Sequence, residues 1–168
     1  MTQDEVDALV PLWEKAGMPP SLIAGLELVK RATRIHLQVD QVLKAELAEL
    51  GLTYAEFDVL AALSRTAPPH RMRPSELTKA LLLTSGGISN VLQRLTAAGH
   101  VERDPDPADA RSRWVQLTPS GLDTARRALA VSARVHEEVF AGVPEETLRQ
   151  AADTLREVLV LTTRRRLR

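Results

Sequence analysis

The sequence predicts a mainly α-helical fold with one small β-hairpin. Apolar residues recur at helical spacing along most of the chain, as in Ile88, Val91, Leu92 and Leu95. After Gly99 the pattern changes to short runs of alternation on either side of the turn-rich segment DPDPAD. Apolar residues make up 44% of the 168 residues, which is enough for a sizeable core.

Two helices are predicted before residue 52. Residues 4–16 form a short, acidic, amphipathic pattern that ends at Gly17. The next pattern begins after Ser21, a residue type that caps helices, and ends at Leu50 before Gly51. At about 30 residues it is long for a globular helix, and its apolar residues are expected to pack against a second chain or another long helix.

Three shorter helices follow. Thr53 and Glu56 have the spacing of a capping box, and the helix that they open has an apolar face expected to be buried (Phe57, Leu60, Ala61, Leu63). Pro74 is expected to open the fourth helix, PSELTKALL, with Leu77, Ala80 and Leu81 buried. Thr84 is expected to cap the fifth helix, which ends at Gly99.

A β-hairpin is predicted from residues 100–103 and 113–118, and Pro119, Ser120 and Gly121 are expected to end it. Helices return over residues 122–141 and 145–163. Two short helices followed by a hairpin form a winged helix-turn-helix. We therefore expect an extra N-terminal helix (1–20), a helical dimerisation domain (21–51 and 122–168) and a winged helix-turn-helix domain (52–121).

Composition excludes several classes of function. The absence of cysteine removes disulfides, thiolate metal sites and thiol redox chemistry. The four histidines are scattered without metal-ligand spacing, so neither a metal nor another cofactor is expected. No nucleophile with a base and no phosphate loop indicates an enzyme. The acidic N-terminus and the lack of a long apolar run favour a cytoplasmic protein away from membranes.

The fifth helix is the candidate DNA reader. Gly86 and Gly87 in its first turn weaken the helix but leave its backbone uncovered, as close approach to DNA requires. The candidate DNA-binding residues of this helix are Thr84, Ser85, Gly86, Gly87, Ser89, Asn90, Gln93 and Arg94. Asparagine and glutamine can pair bidentately with adenine. The alternative is that these residues form only the solvent-exposed face of a surface helix.

The hairpin supplies a second candidate contact. Arg111 and Arg113 lie where a wing can reach the minor groove or phosphates, and Asp109 can hold Arg111 extended through a charge-assisted bond. A solvated ion pair of little energetic value is the alternative. The 22 basic and 22 acidic residues cancel, so the electrostatic footprint on DNA must be local.

The runs LTYAEFDVLAAL and RPSELTKALLLTSGGISNVLQRLTAAGHVERDPDPADARSRWVQLTPSGL resemble the multiple antibiotic resistance regulator (MarR) family of winged-helix transcription factors. The resemblance implies a homodimer that binds a pseudopalindromic double-stranded DNA operator. It also implies repression relieved by a small anionic or aromatic ligand. The helix over residues 84–98 would enter the major groove, and Asp109 and Arg111 would belong to the wing.

A narrower resemblance is to the urate-responsive branch of that family. It implies a ligand site formed by Trp13, Asp58 and Arg103 between the dimerisation and DNA-binding domains. The branch has a second arginine where this chain has Val91, which continues an apolar stripe and is expected to pack in the core. Losing a charge-assisted contact of about 1.5–3 kcal/mol would lower the binding affinity for an anion by roughly one to two powers of ten. Trp13 could instead anchor the extra helix, and Asp58 could pair with a surface cation.

The leading hypothesis is a dimeric, sequence-specific DNA-binding regulator, a repressor that a small effector releases. The alternative is a winged helix that binds another protein and no DNA.

Overall fold

The computed structural model describes residues 3–81, 85–106 and 109–163, and the side chains of all of these except residues 85, 105, 106 and 109–112. These residues fall into two compact units that divide between Val135 and His136. Their elements are α1 (Val10–Lys15), α2 (Pro20–Glu49), α3 (Tyr54–Ser64), β1 (Arg71–Met72), α4 (Pro74–Leu81), α5 (Ser85–Ala97), β2 (Val101–Asp106), β3 (Asp109–Leu117), α6 (Pro119–Val139) and α7 (Glu145–Thr163).

The first helix is shorter than predicted. Residues 5–9 form turns, and α1 begins only at Val10. The Asp4 carboxylate accepts hydrogen bonds from the backbone N–H groups of Val6 (2.8 Å) and Asp7 (3.0 Å). Such a local side-chain turn competes with the helix for the same backbone donors. The acidic start of the pattern is therefore a turn rather than a first helical turn.

Arg31 of α2 fixes this N-terminal segment. Its guanidinium contacts Asp4 (Nε to Oδ2, 2.7 Å) and Asp7 (Nη2 to Oδ1, 2.8 Å) and also Glu27 of its own helix (2.9 Å). Val6, between the two aspartates, is only 1% exposed. The segment is thus held by a small apolar anchor and an arginine that binds three carboxylates at once.

We expect the Asp4 carboxyl to titrate far below its usual range. The Arg31 hydrogen bond, together with backbone donors, lowers the pKa of Asp4 from 3.8 to about 2. Because the folded pKa lies below the unfolded one, this stabilisation is present above pH 3.8 and is lost as the pH falls towards about 2. Carboxyl NMR titration of an Arg31→Ala variant should show the pKa of Asp4 rising. An Arg149→Ala variant on α7 is the control, and an unchanged pKa of Asp4 in Arg31→Ala would contradict this assignment.

The long helix begins one residue before the predicted cap. Pro20 is its first residue and Pro19 precedes it in an extended conformation, with no side-chain cap. Ser21 therefore lies inside the first turn. Proline suits the first helical position because its missing N–H would have no partner there. At the other end Gly51 has φ +71°, as predicted for a residue just beyond a helix.

Helix α3 follows the prediction closely. The Thr53 N–H donates to Glu56 Oε2 (2.7 Å), and the Glu56 N–H donates to Thr53 Oγ1 (3.3 Å), so the capping box is confirmed. The predicted apolar face is also confirmed, since all four of its members are buried (Phe57, Leu60, Ala61, Leu63). This helix forms the centre of the winged-helix core.

The two helices that follow α3 match the prediction except at two residues of α4. Pro74 is the first residue of α4, and Leu77 is fully buried, but Ala80 is exposed and Leu81 is half-buried. A two-turn helix presents only a narrow stripe to the core, so the prediction for Ala80 is wrong. The apolar stripe of α5 is confirmed, with each member at most 5% exposed (Ile88, Val91, Leu92, Leu95).

The hairpin belongs to a three-stranded antiparallel sheet of order β1-β3-β2. Strand β1 pairs with β3 through Arg71 and Gln116 and through Met72 and Val115. A two-residue strand is too short to show alternation, so the sequence did not predict it. The other strands extend further towards the turn than predicted, because pairing with each other satisfies the backbone groups of the proline- and aspartate-rich segment.

Helix α6 begins where the sequence predicted only an end to the hairpin. Pro119 is its first residue, and Thr118 Oγ1 accepts a hydrogen bond from the Gly121 N–H (2.9 Å). A Cβ at Gly121 would lie 1.8 Å from the carbonyl oxygen of His100. Gly121 is therefore required by close packing of α6 on the start of the hairpin, and not by the end of a strand.

Candidate nucleic-acid interface

The outer face of α5 is polar and open. Its exposed side chains lie opposite the buried apolar stripe, and they include the predicted DNA-binding residues Ser89, Asn90, Gln93 and Arg94. Thr84 lies outside the described residues, as does the side chain of Ser85, whose backbone begins the helix. A helix surface with amide and hydroxyl groups at this spacing can donate to and accept from base edges.

Gly86 has no packing reason to be glycine. It is exposed, its φ lies outside the left-handed region, and a Cβ built on it would meet nothing within 4 Å. Alanine would therefore fit, and it would favour the helix by up to about 1 kcal/mol. Glycine at this position keeps the backbone bare towards the outside of the molecule. Gly87, its neighbour, is half-buried.

Arg94 differs from the other outer-face residues because its guanidinium turns back to α3. Its Nε lies 3.1 Å from Glu56 Oε1, and its Nη2 lies 3.3 Å from Thr53 Oγ1. The Glu56 side chain is only 9% exposed, whereas that of Arg94 is 57% exposed. The structure thus joins Arg94 to the capping box of α3, a contact that spans 41 residues of sequence to Thr53.

The described part of the hairpin carries two exposed arginines on one face. Arg103 pairs with Val115, and Arg113 pairs with Pro105, so the two arginines are diagonal neighbours on the face that also carries the buried Val115. Asp109 and Arg111 belong to strand β3, but their side chains lie outside the described residues. One predicted ligand residue and one predicted DNA residue therefore share a face of the sheet.

Sequence reasoning missed a second pair of arginines on the opposite face of the sheet. The guanidinium carbons of Arg71 and Arg73 lie 4.6 Å and 4.8 Å from the ring centroid of Trp114. These distances are those of cation–π contacts, which hold a guanidinium in a fixed pose. The alternation of RMR before Pro74 was the available signal, but nothing in the sequence indicated that this segment pairs with β3.

The predicted effector residues lie on three elements. Trp13 of α1 is half-buried, and Lys30 Nζ of α2 lies 6.0 Å from its ring centroid. Asp58 of α3 is half-buried, and Arg103 of β2 is exposed. No hydrogen bond or ion pair joins any two of these three described side chains. The structure therefore does not show them lining one closed pocket.

Asp58 belongs to a charged cluster between α2 and α3. Partial burial raises the pKa of Asp58 above its usual value, and the charge of Arg65 opposes this rise. Burial also raises the pKa of Tyr54, and the charges of Asp58 and Asp40 add to that rise. Asp40 pairs with Lys44 at 2.8 Å.

Val91 packs in the core as predicted. It is 5% exposed and lies within the buried stripe of α5. The position at which the urate-responsive branch has a second arginine therefore faces the hydrophobic interior of this chain.

The described ranges hold neither a metal-binding cluster nor a membrane-spanning helix. Within residues 3–81, 85–106 and 109–163, no group of three histidine, aspartate or glutamate side chains could hold a metal ion. Over the same residues, no helix combines the length and the apolarity that crossing a membrane requires.

Comparison with known proteins identifies the family of this chain. Residues 50–112 match a family model described as MarR family. The chain is 28% identical over 142 residues to the HTH-type transcriptional regulator PecS of Dickeya dadantii, covering 84% of this chain and 85% of the relative. It is 31% identical over 116 residues to an uncharacterized HTH-type transcriptional regulator of Bacillus cereus, covering 69% of this chain and 75% of the relative.

A solved structure of a related regulator has the same fold. A mutant of Escherichia coli MarR complexed with operator DNA superimposes with a TM-score of 0.71 at 28% identity, covering 79% of this chain and 93% of that chain. The expected fold class, mainly α-helical with a small antiparallel sheet, is therefore confirmed.

Proposed function

The chain belongs to the MarR family of DNA-binding transcriptional regulators, which are not enzymes, and from this premise we propose that it acts as a homodimer on a pseudopalindromic operator. The observation that carries the proposal is the bare, polar outer face of α5, with Gly86 open to the outside. The N-terminal turns of a recognition helix approach DNA most closely, and a side chain there would hold the backbone away.

The proposed DNA contacts combine α5 and the hairpin. Helix α5 enters the major groove, and the wing reaches the adjacent minor groove or phosphates. The residues assigned to these contacts are Thr84, Ser85, Gly86, Gly87, Ser89, Asn90, Gln93, Asp109, Arg111 and Arg113. In this assignment residues 52–121 form the DNA-binding domain, and residues 21–51 and 122–168 form the dimerisation domain.

Exposed apolar side chains support dimerisation. In α2 they are Leu22, Val29, Ile35, Leu37 and Val42, and in α7 they are Leu155, Leu159, Val160 and Leu161. Single exposed apolar residues are ordinary, but clusters along one helix indicate an interaction surface. We assign these surfaces to a second copy of the chain, because reading a pseudopalindrome requires two copies of α5 related by twofold symmetry.

A repressor released by a small effector is the proposed mode of regulation. Trp13, Asp58 and Arg103 are the proposed ligand contacts, and a small anionic or aromatic molecule matches their chemistry. Such a ligand lowers DNA affinity by the ratio of its affinities for the two spacings of the DNA-binding domains. The buried Val91 leaves this site with one cation fewer than the resemblance to the urate-responsive branch implies, so we expect an anion such as urate to bind more weakly here than in that branch.

The experiment is a gel-retardation assay on the DNA upstream of the chain's own gene, with scrambled competitor, together with light scattering. We expect a dimer that selectively retards the upstream fragment. A monomer, or equal retention of scrambled DNA, would contradict the proposal. Failure to bind any DNA would favour the protein-binding alternative.

Trp13→Ala is expected to separate DNA binding from effector release. The variant should bind the operator with the affinity of the parent chain, because α1 carries none of the proposed DNA contacts. Release by benzoate, 4-hydroxybenzoate or urate should need roughly tenfold more ligand, as expected when about 1.4 kcal/mol of contact is lost. Fluorescence anisotropy of labelled operator measures both properties.

Leu12→Ala is the control for Trp13→Ala, because Leu12 precedes it in α1 and is 61% exposed. Equal loss of DNA binding and release in Trp13→Ala would assign Trp13 to folding instead.

A further inference from the structure

We infer that Arg94 is a positioning residue that holds the recognition helix α5 against the first turn of α3, rather than a residue that contacts DNA. This inference rests on the proposed function, because it assigns a role within DNA binding. It separates Arg94 from the neighbouring residues of the outer face, with which the sequence pattern groups it.

The geometry commits the Arg94 guanidinium to α3. Glu56 Oε1 lies 3.1 Å from Arg94 Nε, and Glu56 Oε2 accepts hydrogen bonds from both the N–H and the Oγ1 of Thr53 at 2.7 Å. Thr53 Oγ1 in turn accepts from Arg94 Nη2 at 3.3 Å. We call this group of three residues the clasp. Every carboxylate oxygen of Glu56 has a donor, and Arg94 supplies the cation.

Burial explains why the clasp would persist on DNA. The Glu56 side chain is 9% exposed, and a buried carboxylate that loses its counter-charge is strongly disfavoured. An Arg94 that left Glu56 to reach a phosphate would remove the cation of the clasp. Holding α5 is therefore the role that the contacts favour.

The clasp also joins α5 to the proposed effector region. The first turns of α3 carry Glu56 of the clasp and, on other faces, Tyr54 and Asp58 beside Asp40 of α2. A ligand that displaces this end of α3 would displace α5 through the clasp, and the two DNA-reading helices of a dimer would change their spacing. Regulation thus passes through a contact whose loss can be measured.

A double-mutant cycle with a salt titration tests the inference. Operator affinity is measured for the parent chain, Arg94→Ala, Glu56→Gln and the double variant at several salt concentrations. We expect each single variant to weaken binding by roughly tenfold and the double variant to be no weaker than the weaker single one, because both remove the same contact. The dependence of log affinity on log salt should stay unchanged, since no phosphate contact is lost.

A DNA-contacting arginine would behave differently. Arg94→Ala would then lower the salt slope by about 0.9 per phosphate contact, and Glu56→Gln would leave affinity unchanged or higher. Either result overturns the inference. Arg94→Lys should bind more tightly than Arg94→Ala but less tightly than the parent chain. Lysine keeps the positive charge beside Glu56 but lacks the planar guanidinium that contacts both Glu56 and Thr53. Arg127→Ala, at an exposed arginine of α6, is the control and should bind as the parent does.

The outcome for the parent chain separates this test from the proposed function. If the parent chain fails to bind any operator, the proposed function is wrong. A parent chain that binds, with a reduced salt slope in Arg94→Ala, sinks only the positioning role. Thermal unfolding identifies any variant that fails to fold, and such a variant is left out of the comparison. If Glu56→Gln is unstable, the salt slope of Arg94→Ala still tests the inference, because Arg94 is exposed and its replacement is expected to be tolerated.

Discussion

A Leu159→Asp variant is expected to be monomeric and to lose operator binding by roughly 100-fold or more, as the loss of several kcal/mol requires. Leu159 is 64% exposed on α7, beside Val160 and Leu161. If a second chain covers this surface, an aspartate there would be buried without a partner in the dimer. In the monomer it would remain solvated and harmless.

Analytical ultracentrifugation and gel retardation measure the two effects of Leu159→Asp together. Gln150→Asp places the same charge on an exposed polar position of α7 and should leave both the dimer and DNA binding intact. Helix content by circular dichroism should be unchanged in both variants. A Leu159→Asp protein that stays dimeric would show that α7 does not form the interface.

Gly86→Ala is expected to change stability and DNA binding in opposite directions. The added methyl group meets nothing within 4 Å, and the backbone conformation suits alanine, so the free energy of unfolding should rise by about 0.4–1 kcal/mol. Operator affinity should fall by roughly tenfold or more, because the same methyl group would hold the helix away from the duplex.

Thr96→Ala is the control for Gly86→Ala. Thr96 is exposed in the last turn of α5 and is not among the proposed DNA contacts, and its replacement by alanine also favours the helix but adds no atoms. It should leave operator affinity unchanged. Chemical unfolding and anisotropy titration of both variants measure the two quantities. Unchanged operator affinity in Gly86→Ala would show that the first turn of α5 does not approach DNA.

Local patterns made much of the fold predictable. The capping box of Thr53 and Glu56, the start of α4 at Pro74 and the buried stripe of α5 each depend on residues within a few positions of one another. The prediction was wrong where one residue type favours two different local structures. Asp4 favours a turn over a helix, and Pro119 begins α6 instead of only ending the hairpin.

The candidate site was predictable in outline but not in its contacts. Helical periodicity places Asn90 and Gln93 on one face with Arg94, and it cannot show which of these side chains turns inwards. The partner of Arg94 is Glu56, on another helix, and the arginines that stack on Trp114 belong to a strand too short to be recognised.

By itself the sequence determined the order of helices and hairpin and most of the buried faces, because hydrophobic period, caps and turn residues act over short distances. The family was indicated by the resemblance of its motifs to MarR-family regulators. Only the tertiary structure decided that Arg31 binds the N-terminal segment, that Gly121 packs on His100 and that Arg94 pairs with Glu56. These contacts join residues far apart in the chain, and their energy depends on burial and distance, which are set only when the helices pack.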